Sequence, residues 1–126
     1  MPTRRVLLID DEDDIREIAQ LSLEMVAQWD VIAANSGPAG LARAAAEQPD
    51  AILLDVMMPD MDGPATFARL QADPRTREIP VILLTAKTHA SDRRRFADLG
   101  VRAVIPKPFD PMLLPRQIEG VLGWVA

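Results

Sequence analysis

Short apolar runs rich in Val, Ile and Leu recur along the chain at Val6 to Ile9, Val31 to Ala34, Ala51 to Leu54, Val81 to Leu84 and Ala103 to Ile105. Each has the length of a strand, and nearly all of its positions are apolar, as in a strand buried on both faces. The segments between them change period. In the first, Ile15, Ile18, Ala19, Met25 and Val26 recur at steps of three and four and predict a helix with one buried face. Strand and helix therefore alternate five times.

Punctuation agrees with that alternation. Asp13 or Asp14 is placed to cap the first helix, Ser36-Gly37-Pro38 to open the second, Gly63-Pro64 the third, Ser91-Asp92 the fourth and Asp110-Pro111 the fifth. Buried strands separated by helices predict a parallel sheet with right-handed crossovers, covered on both faces, which is a doubly wound α/β fold. One such domain accounts for residues 1–126, with no repeat or linker and only the polar loop 71-QADPRTREIP-80.

Composition changes this picture little and narrows the function. A chain of 126 residues that is 48% hydrophobic and 26% charged can bury one core. Its formal charge of -5 argues against direct binding to a nucleic-acid backbone, and 4% aromatic residues argue against a base-stacking platform. The start, MPTRRVLLIDDEDD, has only a four-residue apolar run before an acidic block, so it reads as neither a signal peptide nor a membrane span. With no cysteine, disulfide and thiolate chemistry are excluded, and the expectation is a soluble cytoplasmic protein.

In open parallel sheets, ligands bind beyond the carboxyl ends of the strands. That edge should carry Asp10 and Asp11 after the first strand, Asp55 at the end of the third, Thr85 at the end of the fourth and Lys107 after the fifth. Taken alone, Asp10-Asp11 reads equally well as a helix cap, Thr85 as a turn former and Lys107 as a solvated lysine. Taken together, three carboxylates at one edge repel, by about 4 kcal/mol per pair at 4 Å and an effective dielectric near 20. They must protonate or hold a cation. Oxygen ligands without His or Cys favour a hard ion such as magnesium, and a carboxylate beside it can attack phosphorus to form an aspartyl phosphate.

Other chemistries lack their residues. The acidic run from Asp10 has Ile15 where a calcium loop needs glycine, and no glycine-rich nucleotide loop is present. His89, the single histidine, falls in an expected surface loop. A phosphatase using an aspartate nucleophile would need a second aspartate at position 57, which is Met57.

The motifs 7-LLIDDEDD-14, 53-LLDVMMPDMDG-63, 82-ILLTA-86 and 104-VIPKPF-109 together resemble the receiver domain of two-component response regulators, in the single-domain, chemotaxis-regulator-like form. The resemblance implies a flavodoxin-like sheet of five parallel strands in the order 2-1-3-4-5 with five helices. It implies that Asp55 accepts a phosphoryl group from a histidine kinase or a histidine phosphotransfer protein. Magnesium would be held directly by Asp11, partly through water by Asp10, by Asp55, and by the main-chain carbonyl of Met57. Thr85 would be the switch hydroxyl and Lys107 the lysine that pairs with the phosphoryl group, with a cis bond between Lys107 and Pro108. The protein would be a switch rather than a metabolic enzyme, acting through a downstream protein target because the chain ends soon after the fifth helix. The alternatives are a receiver fragment of a larger regulator or hybrid kinase, and a pseudo-receiver that is never phosphorylated.

Three positions depart from the family pattern. Val104 stands where an aromatic switch residue is usual. Pro115, four residues into the expected last helix, predicts an irregular first turn, on the surface of fourth helix, fifth strand and fifth helix that the family uses for dimerisation or docking; Arg93-Arg94-Arg95 would add positive charge there or simply face solvent. Met57 and Lys87 occupy positions, two past Asp55 and Thr85, at which the family tunes phosphate loss.

Overall fold

The computed structural model describes residues 3–86 and 89–124. Five strands and five helices alternate as β1 (Arg5–Ile9), α1 (Asp13–Met25), β2 (Asp30–Ala34), α2 (Gly37–Glu47), β3 (Ala51–Asp55), α3 (Gly63–Ala72), β4 (Val81–Thr85), α4 (Ala90–Ala97), β5 (Ala103–Pro106) and α5 (Leu114–Leu122). The strands form one parallel sheet in the order β2-β1-β3-β4-β5. This is the flavodoxin-like doubly wound arrangement expected from the sequence.

Strand alternation sorts the side chains into two cores. Leu7, Ile9, Ile52, Leu54 and Leu83 point to the side with Ala44 of α2, Phe67 and Leu70 of α3 and Phe96 of α4. Val6, Leu8, Leu53, Ile82 and Leu84 point to the other side, where Ala19 and Leu23 of α1 meet Leu114 and Ile118 of α5. Every residue of β3 and β4 is buried, which accounts for their nearly unbroken apolar sequence.

Four helix details correct the sequence reading. Glu12 is the N-cap residue of α1 and makes no side-chain cap bond; Asp13 and Asp14 lie in the first turn, where their charge still meets the positive helix end. His89 precedes α4, so Ser91 and Asp92 are already helical. The last helix starts at Leu114, after a turn in which the carbonyl of Asp110 accepts from Leu113 and Leu114. Pro115 then falls in the first turn, where a missing N–H costs no helical bond; the irregularity expected of it lies before the helix. On α1 the buried stripe is Ala19, Ser22 and Leu23, whereas Ile18, Met25 and Val26 are 44%, 75% and 44% exposed. The apolar face is wider than the strip of helix that the sheet and α5 cover.

The turn after β3 brings α3 close to the sheet edge. Asp60 adopts φ of 67°, and Asp62 caps α3 by accepting from the Ala65 amide at 2.9 Å. Gly63 donates to the Val56 carbonyl at 2.9 Å, and a Cβ on it would lie 2.6 Å from the Asp55 carbonyl oxygen and 2.8 Å from the Val56 Cα. Those are backbone atoms that cannot move without shifting Asp55. Gly120, inside α5, has nothing within 4 Å of a Cβ among the described residues. Gly63→Ala should therefore destabilise the protein by about 1–3 kcal/mol through overpacking. Gly120→Ala should stabilise it by about 0.5–1 kcal/mol through reduced unfolded-state entropy. Urea unfolding of both variants checks the pair, and equal effects would contradict this account of the turn.

Candidate functional site

The sheet register sets the site. Ile9, Leu54 and Leu83 pair in one row, Asp55 pairs with Leu84 in the next, and Thr85 pairs with Pro106. Strand ends that leave the sheet together deliver Asp10, Asp55, Thr85 and Lys107 to one edge, as the sequence predicted. Asp10, Asp55 and Thr85 are buried, with 0%, 1% and 1% of their surface exposed. Main-chain bonds fasten them: the Asp10 amide donates to Ala34, the Val56 amide to Leu84, and the Lys107 amide to the Thr85 carbonyl at 2.8 Å.

Among the described residues, Lys107 is the cation paired with these carboxylates. Its Nζ lies 3.0 Å from Asp10 Oδ2, 3.0 Å from Asp55 Oδ1 and 3.4 Å from Glu12 Oε1, and its side chain is 9% exposed. The bond from Lys107 to Pro108 is cis. Asp10 Oδ1 accepts the Glu12 amide at 2.9 Å, which turns the chain from β1 into α1. Burial pulls the Lys107 ammonium down, but its bonds to Asp55 and Asp10 outweigh that and leave its pKa raised.

The carboxylates are not all satisfied. Asp10, Asp11 and Asp55 offer oxygens that lie within 4.8 Å of one another. Asp11 Oδ1 and Asp55 Oδ2 are buried with no hydrogen-bond partner among the described residues. A buried unpaired carboxylate oxygen is costly, and two converging ones fit a hard cation with oxygen ligands. Burial pushes the Asp55 carboxyl up to about 6, and the Asp10 charge adds to this; the Lys107 bond and the Met57 amide act in the opposite sense. The donor set therefore suits a divalent cation, and Lys107 holds one oxygen of the Asp55 carboxylate in place.

Of the remaining candidates, Met57 is 57% exposed beside Asp55, and Val104 is half-buried against the core on the α4 side. Lys87 lies outside the described residues. His89 is exposed at the start of α4 and, among the described residues, is not part of the acidic cluster at this edge. Arg93, Arg94 and Arg95 all face solvent, with Arg95 over the Phe96 ring. Two residues were missed by sequence reasoning. Glu12 reaches Lys107, and the Arg16 guanidinium donates to the Asp10 carbonyl at 2.9 Å and to Asp13 Oδ1 at 2.5 Å. Only the Asp13-to-Arg16 spacing of three was visible in advance.

Residues 6–119 match the family model described as the response regulator receiver domain. Over 118 residues the chain is 42% identical to the DNA-binding dual master transcriptional regulator RpaA of a Synechocystis strain, covering 94% of this chain and 48% of that protein. It is 43% identical over 119 residues to the response regulator PleD of Caulobacter vibrioides, covering 93% of this chain and 26% of that protein. The chain thus spans from about a quarter to half the length of these curated relatives. Among solved structures, the chemotaxis protein CheY4 of Vibrio cholerae superposes with a TM-score of 0.88 at 28% identity, covering 95% of this chain and 99% of that one.

The charge balance of the cluster predicts a pH effect in metal-free protein. Because the folded-state value of Asp55 is raised from 3.8 to about 6, its contribution to stability is full below about pH 4 and lost as the pH rises through 6. A neutral side chain removes that loss. In the absence of divalent cations Asp55→Asn should be more stable than the parent by about 1–3 kcal/mol near pH 7.5, with the difference vanishing toward pH 4. Denaturant unfolding at the two pH values measures it, and an Asn variant no more stable near pH 7.5 would contradict the charge balance described.

Proposed function

Since the chain belongs to the response regulator receiver domain family, a signalling switch of two-component systems that is partnered by histidine kinases, we propose that Asp55 is its phosphoacceptor. The phosphoryl donor is the phosphohistidine of a histidine kinase or histidine phosphotransfer protein. The observation that carries this reading is the asymmetry of the Asp55 carboxylate: Oδ1 is held by Lys107 at 3.0 Å, and Oδ2 is buried and unpartnered among the described residues. The Asp55 carboxylate attacks phosphorus, a P–O bond forms as the P–N bond to the donor imidazole breaks, and the released imidazole takes a proton.

Asp10, Asp11, Asp55 and the main-chain carbonyl of Met57 would hold magnesium, whose charge would offset that of the transferred group. Lys107 orients the acceptor and, once the phosphoryl group is on Asp55, pairs with its oxygens. Thr85, at the adjacent strand end, supplies the hydroxyl that turns toward the new group. The product is a changed surface, read by a downstream protein, with α4, β5 and α5 as the docking or dimerisation face. The protein works in the cytoplasm without direct contact with nucleic acid; among the described residues no helix is long and apolar enough to cross a membrane.

Residues 1–126 form a single receiver domain in this reading. The share of RpaA and PleD that the chain matches favours a second setting, in which the same domain is the receiver portion of a longer regulator. The chemistry at Asp55 is common to both, whereas a pseudo-receiver would lack the acidic pair, the acceptor or the lysine, all of which are present.

Incubation with magnesium and a small acyl phosphate, followed by intact mass and phosphosite mapping, should give one phosphoryl adduct on Asp55. No adduct in the parent, or an undiminished adduct in Asp55→Asn, overturns the assignment. Met57, exposed and without a polar group, cannot orient water toward the phosphoaspartate. Met57→Asn should therefore shorten the adduct's lifetime severalfold, as read by loss of phosphate over time, and an unchanged lifetime removes Met57 from the account of hydrolysis.

A further inference from the structure

The acid pair sits in a connection of only three residues, Asp10 to Glu12, between the end of β1 and the start of α1. One side chain reaches across it from the helix. The Arg16 guanidinium donates through Nη1 to the main-chain carbonyl of Asp10 at 2.9 Å and through Nη2 to Asp13 Oδ1 at 2.5 Å, while the Arg16 amide donates to the Glu12 carbonyl at 2.9 Å. With only 20% of its side chain exposed, Arg16 is packed in place rather than waving in solvent. Asp10 is fully buried, and among the described residues its carbonyl accepts no other hydrogen bond, so the guanidinium satisfies a group that water cannot reach.

We infer that Arg16 is a positioning residue of the metal site, a fork that locks the carbonyl side of Asp10 so that the carboxylates of Asp10 and Asp11 converge on Asp55. This rests on the magnesium reading proposed above. The planar fork suits the role because its two donors are fixed relative to each other and grip a carbonyl and a carboxylate at once. Residues that orient metal ligands without touching the metal commonly change affinity by about 10–100-fold when removed.

The sign of the effect separates positioning from simple charge. Arg16 is a cation beside a cation site, so deleting it should tighten magnesium binding if only electrostatics were at work. Deleting a brace loosens the ligands and weakens binding instead. Titration of the full chain with magnesium alone, followed by calorimetry, should therefore show about tenfold weaker binding for Arg16→Ala. Arg16→Lys keeps the charge but not the fork, and it should fall between Ala and the parent. Circular dichroism and urea unfolding of the metal-free variants report whether the fold is kept.

Binding by Arg16→Ala that equals or exceeds the parent's overturns the inference. If Arg16→Ala does not fold, a folded Arg16→Lys decides: weakened binding supports positioning, and unchanged binding overturns it. A parent chain that binds no magnesium defeats the metal reading together with this one, whereas a parent that binds and an Ala variant that binds equally defeats this one alone.

Discussion

The structure is organised around one electrostatic problem, which is that the ammonium of Lys107 is shared between two buried carboxylates, Asp10 and Asp55, at the edge of the sheet. It lies 3.0 Å from both Asp10 and Asp55 and leaves one oxygen of Asp11 and one of Asp55 without a partner among the described residues. Among the described residues, the one ammonium in contact with the buried Asp10 and Asp55 carboxylates does not match their combined charge, to which Asp11 adds. Burial, with the Asp10 charge added to it, pushes the Asp55 carboxyl up to about 6 despite the Lys107 bond. A divalent cation held by these oxygens, as proposed, would offset that excess of negative charge.

Keeping the charges together demands a rigid frame, and the fold supplies it through main-chain bonds rather than side chains. Parallel register fixes the heights at which β1, β3, β4 and β5 end, and each critical residue is the last of a strand or the first or second beyond it. The approach of Gly63 to the Asp55 carbonyl pins the following turn against the sheet, and the three-residue connection from Asp10 to Glu12 leaves the acid pair little freedom. The energy that holds this frame comes from the two apolar cores beneath and above the sheet, well away from the charges.

Much of this was legible in the sequence because each signal had a local cause. Runs such as Ile52-Leu53-Leu54 can only be central strands, and the rule that parallel sheets bind at their carboxyl ends then selects Asp10, Asp55, Thr85 and Lys107. What escaped prediction depended on tertiary geometry. Periodicity gave α1 an apolar stripe from Ile15 to Val26, but how much of it is covered depends on where α5 lies, and Met25 remains 75% exposed. The start of α5 moved to Leu114 because the Asp110 carbonyl closes its own turn first. The Arg16 bond to the Asp10 carbonyl joins a side chain to a main-chain atom six residues away, a contact that no residue-type pattern announces.

The valine at position 104 bears on how such a cluster would be felt at a distance. An aromatic ring there could swing between buried and exposed positions, whereas Val104 is short, β-branched and already packed against the core, with no comparable motion. The chain offers a more direct connection. Thr85 and Lys107 are joined by a main-chain bond of 2.8 Å, so the proposed turn of Thr85 toward a phosphoryl group acts on the same peptide plane that positions the lysine. Beyond the lysine, Asp110 ties the connection to α5 by accepting the Met112 amide through its side chain and the Leu113 and Leu114 amides through its carbonyl. Movement at the strand end would therefore reach the start of α5 through short, well-bonded backbone. A switch built in the proposed way would alter the placement of β5 and α5 as units, and its output surface would depend on where those elements sit rather than on the rotamer of one ring.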